Sequence, residues 1–221
     1  MATNSNDSWV RGSPAVWLDA AYQTLIENGV DSVRIATLSQ RLRLSRTSFY
    51  WFFEDREALL KAVRERWKEK NTNNLIQRSQ AYAQSITEAI LNVFDCWLDS
   101  QLFDSRFEFA MRNWAQQASD VADEIAAADA ARIDALKAMF IRFEYEPLAA
   151  DVRARTIYLT QIGYISMRTV DSLATRMARI PDYVEIFTAV RPTQQELERF
   201  FARHGYAPAT SRTSRRSKRT R

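Results

Sequence analysis

The sequence predicts an all-α protein, with a small N-terminal helical head and a larger C-terminal helical unit. Only four glycines and five prolines interrupt 221 residues, while the good helix formers Ala, Leu, Glu, Arg and Gln occur throughout. Apolar residues recur at helical spacing in segment after segment. No stretch alternates apolar and polar as a half-buried strand would. A chain of this length buries a real core as one large domain or as two small ones.

Ser13-Pro14 opens the first helix, an N-cap followed by proline at the first helical position. Trp17, Ala21, Leu25 and Asn28 follow at helical spacing, and Gly29 supplies the stop. Asp31 to Arg34 reads as a short extended piece leading to a second helix that carries Leu38 and Leu42. Arg43 and Leu44 turn the chain, and Ser45 caps a third helix from Arg46 to about Phe52. Glu54-Asp55 starts a fourth, with Leu59, Ala62, Val63 and Trp67 on one face.

Beyond residue 70 the pattern is that of the larger unit. Ile86, Ile90, Val93, Phe94 and Trp97 form one apolar stripe, and Phe103, Phe107, Met111 and Trp114 another. A helix is predicted over Ile125 to Phe143, with Pro147 ending the run. The segment Val152 to Val170 is apolar on two sides. Val152, Leu159, Gly163, Met167 and Val170 line one side; Tyr158, Ile162 and Ile165 line the other. A helix buried on both sides needs two partners, and a second subunit is the simplest source of one. Gly163 inside it is expected to mark close backbone packing. The last helix opens at Thr193 with Glu196 three residues on, a capping box, and Gly205 closes it. The organisation predicted is a disordered tail (1–12), a head (13–70), a helical unit (71–207) and a disordered basic tail (208–221).

Charge is unevenly placed. The net charge is +4, yet Ser211 to Arg221 alone holds six basic residues and no acid, and Val33 to Lys68 holds nine basic against four acidic. The basic head and tail suit an anionic partner. No apolar run reaches the roughly 18 residues of a membrane helix. Met1 to Asp7 lacks the apolar core of a secretory signal, and the single cysteine, Cys96, forms no internal disulfide. These features predict a cytoplasmic protein. One histidine, His204, and one cysteine make neither a His/Cys metal cluster nor a Ser-His or Cys-His arrangement. No glycine-rich phosphate loop occurs. No enzyme, metal or cofactor is therefore expected.

Two short helices joined by a tight turn and packed on a third make a helix-turn-helix, whose second helix presents a polar N-terminus to DNA. Here that N-terminus is Arg46-Thr47-Ser48. Arg46 can meet guanine edges bidentately, and Thr47 a thymine methyl or a base acceptor. Ser48 and Tyr50 offer hydroxyls to phosphate oxygens. By periodicity alone, a helical hairpin kept soluble by Arg41, Arg43 and Arg46 serves equally well.

The order of residues separates these readings. Val33 to Leu60, with Leu44-Ser45-Arg46-Thr47-Ser48-Phe49-Tyr50-Trp51-Phe52-Phe53 at its centre and Arg56-Glu57-Ala58-Leu59-Leu60 at its end, resembles the signature of the TetR family. The resemblance reaches back to Trp17, Ala21 and Gly29 and covers about residues 13–67. It implies a homodimer that reads a two-fold site in double-stranded DNA, with the third helix of each subunit in the major groove. Arg46 and Thr47 fall at base-reading positions. Ser48, Tyr50 and Arg56 fall at phosphate contacts, and Arg34 near a further one. Three positions depart from the family pattern: Arg43 replaces a turn glycine, Phe52 a histidine, and Ser39 a packing alanine.

The resemblance also implies a transcriptional regulator, expected to be a repressor, whose C-terminal unit dimerises and encloses a small-molecule effector. Trp97, Phe107, Trp114, Phe143, Tyr158 and Tyr164 are the pocket candidates, with ordinary core the competing role for each. The rival function is a helical ligand-binding or scaffold dimer whose DNA grip has weakened or been lost, given Phe52 and Arg43.

Overall fold

Ser13 caps the first helix, α1 (Pro14–Asn28): its hydroxyl accepts the Val16 amide at 3.3 Å, and Gly29 ends the helix at φ 80°. The computed structural model describes residues 12–207, so the predicted tails fall outside the described residues except for Gly12. Gly12 is buried and does not belong to a tail, because an added Cβ would lie 2.8 Å from the Leu44 side chain and 3.2 Å from Trp17 Nε1. Val30–Ser32 forms a 3₁₀ turn where the sequence predicts extended chain; only Val33 and Arg34 leave the helical region.

Next come α2 (Ile35–Leu42) and α3 (Arg46–Phe49), then α4 (Arg56–Trp67), capped by Asp55, whose carboxylate accepts the Ala58 amide at 2.8 Å. The third helix, α3, is shorter than predicted. Phe49 is fully buried, edge-on to Trp17 and stacked on Phe53 at 5.5 Å, so the chain turns after Tyr50 to bring Phe53 back over it. The helical path does not stop at residue 70. It runs from α4 through a π-helical segment, Lys68–Asn73, into α5 (Asn74–Gln80).

The remaining helices are α6 (Ile86–Leu98), α7 (Ser105–Ala115), α8 (Ser119–Arg142), α9 (Pro147–Ser166), α10 (Leu173–Thr188) and α11 (Gln194–Arg203). No strand occurs among the described residues, and none of the helices is long and apolar enough to cross a membrane. Three sequence expectations change. α8 begins at Ser119, before the predicted start at Ile125. Pro147 starts α9 instead of ending a run; it is the first helical residue, where its missing N–H costs nothing. α9 stops at Ser166, leaving Met167 and Val170 exposed in the following turn.

Two apolar clusters organise these helices. One joins Trp17, Leu25, Phe49 and Trp67 of the head to Phe107, Met111, Trp114 and Ile125 of α7 and α8. The other gathers α6, the far half of α8, and α9 to α11 around Phe94, Phe140, Tyr158 and Phe200. The head therefore shares its core with α7 and the start of α8.

Candidate functional site

The sequence builds the candidate surface through α3. Ser45 is extended, and its hydroxyl accepts the Ser48 amide at 3.2 Å. Phe49 faces the core, so Arg46 and Thr47 in the first turn point to solvent. Tyr50 and Trp51 stand beside them, 58% and 69% exposed. Arg34 is exposed as well; its Nε donates to the Asp31 carbonyl at 2.8 Å, leaving the other guanidinium N–H groups free of ion pairs among the described residues.

Two expected phosphate contacts face elsewhere. Ser48 is buried, and its hydroxyl donates to the Ser45 carbonyl at 2.8 Å, so it is occupied within the turn. Arg56 clamps the 3₁₀ turn. Its Nε donates to Val33 O at 2.7 Å, one terminal nitrogen to Val30 O at 2.9 Å, and the other to Glu57 at 2.8 Å. Arg41 is likewise occupied, by both oxygens of Glu27 at 2.7 and 3.2 Å.

Arg43 keeps the turn without a glycine. It sits in the left-handed region, φ 56° and ψ 36°, with its amide bonded to Gln40 O and the Leu44 amide to Ser39 O. That is the Schellman closure usually made by glycine. Sequence reasoning misses Trp51 as a site residue: an aromatic run reads as core, and only the turn after α3 shows that this ring faces out.

A buried polar cluster joins head to body. Glu108 and Arg132, both fully buried, pair at 2.8 Å. Trp67 Nε1 and Asn71 Nδ2 donate to the second Glu108 oxygen at 2.7 and 3.0 Å, and Arg132 donates to Thr72 at 3.0 and 2.8 Å. The π-helical segment brings Asn71 and Thr72 inward. Burial pushes the pKa of Glu108 up, but Arg132 and Arg112 outweigh it and hold the carboxyl at about 2. Tyr158, a pocket candidate by sequence, belongs here instead: its hydroxyl accepts from Arg132 at 2.9 Å and donates to Asp129 at 2.5 Å.

A cleft of about 1260 Å³ opens between the end of α1 with the 3₁₀ turn after it (residues 25–31) and α7, α9 and the turn before α10. Trp114 and Tyr164 line it. Behind it lies a cavity of about 50 Å³ lined by Trp97, Tyr164 and Tyr183. Gln161, Tyr164, Asp171 and Arg176 border both spaces. Three of the six aromatic candidates thus come together. Phe107 packs edge-on to Tyr22 at 4.7 Å, and Phe143 lies under Arg142 at the end of α8. Phe107 is core, and Phe143 packs half-buried against the other cluster.

Among the described residues no group of three His, Cys, Asp or Glu side chains is arranged to hold a metal. His204 Nε2 lies 2.8 Å from Asp95 at the end of α11, and burial pushes the Cys96 thiol up to about 12.

Residues 18–63 match the family model for bacterial regulatory proteins of the TetR family. No curated protein sequence matches the chain. Among solved structures, a protein of Mesorhizobium loti assigned to the TetR-family transcriptional regulators is similar in fold, with a TM-score of 0.54 and 13% identity over 86% of this chain and 95% of that one. AlkX, a TetR-family repressor from a Dietzia strain implicated in n-alkane biodegradation, aligns over 81% of this chain and 98% of its own at 20% identity and a TM-score of 0.45.

Proposed function

We propose how this chain, a transcriptional regulator of the TetR family, works: as a homodimeric repressor that seats α3 of each subunit in the major groove of a two-fold operator and lets go when a small molecule binds its C-terminal unit. The observation that carries the reading is the outward display of Arg46 and Thr47 in the first turn of α3, with Tyr50 exposed behind them. Arg46 and Thr47 would read base edges; Tyr50 and Arg34 would hold phosphates.

The unburied side of α9 supports the dimer. Leu148, Val152 and Leu159 stand on it, more than half exposed, beside Ile186 of α10 at 68%. Gly163 continues this stripe, and a Cβ added there meets nothing within 4 Å. The close packing expected at Gly163 is therefore absent within one subunit and left for a second. Contiguous apolar surface of this kind is what an isologous interface buries. The position of the cleft supports ligand release, since the end of α1 forms one wall and the body the other. An occupant of that cleft would contact both parts and bias the head relative to its partner in the dimer.

A gel shift with DNA flanking the protein's own gene, run with sedimentation, tests the reading. A discrete complex carrying two chains is expected. A stable monomer at about micromolar concentration removes the dimer. A dimer that prefers no sequence leaves the rival, a helical ligand-binding dimer without an operator.

A further inference from the structure

We infer that the cavity at Trp97 receives the carboxylate of an amphipathic ligand whose apolar or aromatic body lies in the adjoining cleft. The inference rests on the reading of this unit as the effector-binding one and adds the chemical class of the effector. It follows from a surplus of donors. Trp97 is buried, and its Nε1–H finds no acceptor among the described residues. The Tyr164 and Tyr183 hydroxyls lie 2.8 Å apart. That pair uses one of its two hydroxyl hydrogens and leaves the other to donate. Arg176 donates to the Trp97 carbonyl at 2.7 Å and makes no ion pair among the described residues. The two other charged groups on the cavity wall, Arg179 and Asp171, pair with each other at 2.9 Å.

A buried donor without an acceptor is costly, so Trp97 Nε1, with the half-buried tyrosine pair and Arg176 beside it, favours an occupant rich in acceptors. Water brings as many hydrogens as lone pairs, so it answers a surplus of donors only in part. A carboxylate brings two oxygens, several acceptor positions and one negative charge. Its small size also fits a space of about 50 Å³, where a ring does not: a dry cavity that holds benzene measures roughly 150 Å³. The body of the ligand must then extend through the shared border at Tyr164 and Arg176 into the cleft, against Phe109, Trp114 and Ile165. There it would lie against the end of α1.

The test uses the full chain with phenylacetate, naphthoate and decanoate, each beside its uncharged amide, followed by calorimetry and tryptophan fluorescence. At least one acid should bind saturably and about tenfold or more tighter than its amide. Arg176→Gln should erase that preference with the melting temperature retained. Arg176→Lys, which keeps the charge without the fork, should keep part of it. Trp97→Phe should weaken the acid and spare the amide. Equal binding of acid and amide, a preference unchanged in Arg176→Gln, or no binding of any acid up to about 1 mM overturns the assignment. Operator affinity measured with the same compounds separates the two readings. An acid that binds without moving DNA affinity leaves the cavity assignment standing and removes ligand release. Release of DNA by acid and amide alike does the reverse.

Discussion

The polar cluster at the head–body junction and the cavity behind the cleft use the same side chains, arginine, tyrosine and tryptophan, yet differ in how the donors are matched. At the junction, Trp67 Nε1 reaches Glu108, Arg132 reaches Glu108 and Thr72, and Tyr158 both accepts and donates. At the cavity, Trp97 Nε1 has no acceptor and Arg176 makes no direct ion pair among the described residues. A closed network fixes one arrangement of helices, whereas an open one waits for outside acceptors. The head repeats the contrast. Arg56 is consumed by two carbonyls and Glu57, while Arg46 in the first turn of α3 is unpaired among the described residues. Arg56 is held by the fold, whereas Arg46 is left able to take an outside partner.

The contrast breaks hardest at the junction. Arg132→Met leaves Glu108 buried without its main partner and should cost about 3–5 kcal/mol of stability, read by urea unfolding. A loss below about 1 kcal/mol would show that the junction is no strut. Glu108 adds a pH signature. Its folded value, about 2, lies below the ordinary 4.5. Its stabilisation is therefore complete above about 4.5 and drains away as pH falls toward 2, because the unfolded chain takes up the proton first. Glu108→Gln should lose stability at neutral pH and flatten that acid limb.

Next in size are the two arginines of the head, which should fail in opposite assays. Arg46→Ala should weaken operator binding by about 1–3 kcal/mol for each base edge it no longer reads, relax preference at one symmetric pair of positions, and leave unfolding within about 0.5 kcal/mol. Tyr50→Phe should weaken binding without altering preference, since phosphates carry no sequence. Arg56→Met should lower stability by about 1–3 kcal/mol through the missing charged hydrogen bonds and leave the salt dependence of DNA binding unchanged. A reduced salt slope in Arg56→Met would restore that arginine to the phosphate contacts.

What the sequence can show follows the same line. Caps and periodic stripes are legible because they are local: Ser13, Ser45, Asp55 and the Thr193–Glu196 box all act where the chain places them. α10 is hidden in the sequence despite Met177, Ile180, Val184 and Phe187 on one buried stripe, because Pro181 in its interior reads as a breaker. The π-helical insertion after Trp67 leaves no signal either, since Lys68 to Asn73 is ordinary helical composition and only Glu108 and Arg132 draw Asn71 and Thr72 inward. The outward pair Arg46 and Thr47 can be named from the chain alone. The inward turn of Ser48 and the clamp made by Arg56 cannot, because their acceptors are main-chain carbonyls. Aromatic content marks Trp97, Trp114 and Tyr164 but does not separate them from Phe107 and Phe143, whose burial depends on helices distant in sequence.

The cavity itself should respond weakly in stability. Arg176→Met removes one hydrogen bond, to the Trp97 carbonyl, and no ion pair among the described residues. A cost of about 1 kcal/mol is expected, several-fold below that of Arg132→Met. A loss as large as the junction's would make Arg176 a second strut and erase the distinction.

The smallest expected effect lies at Arg43, a spare arginine held in a strained place. Its left-handed backbone, φ 56°, costs a side-chain-bearing residue about 1 kcal/mol relative to glycine. Glycine recovers that in the folded state but gives back part of it through a freer unfolded chain. Arg43→Gly should therefore raise stability by no more than about 1 kcal/mol. It also removes a cation two residues before the Ser45 cap, with no ion pair among the described residues to hold it elsewhere. If that charge meets a phosphate, the slope of log affinity against log salt should fall by about one for each subunit, with the preferred operator unchanged. A more stable protein with an unaltered slope would mean that the arginine replacing the turn glycine is strain alone, and that being unpaired is not enough to place an arginine against DNA.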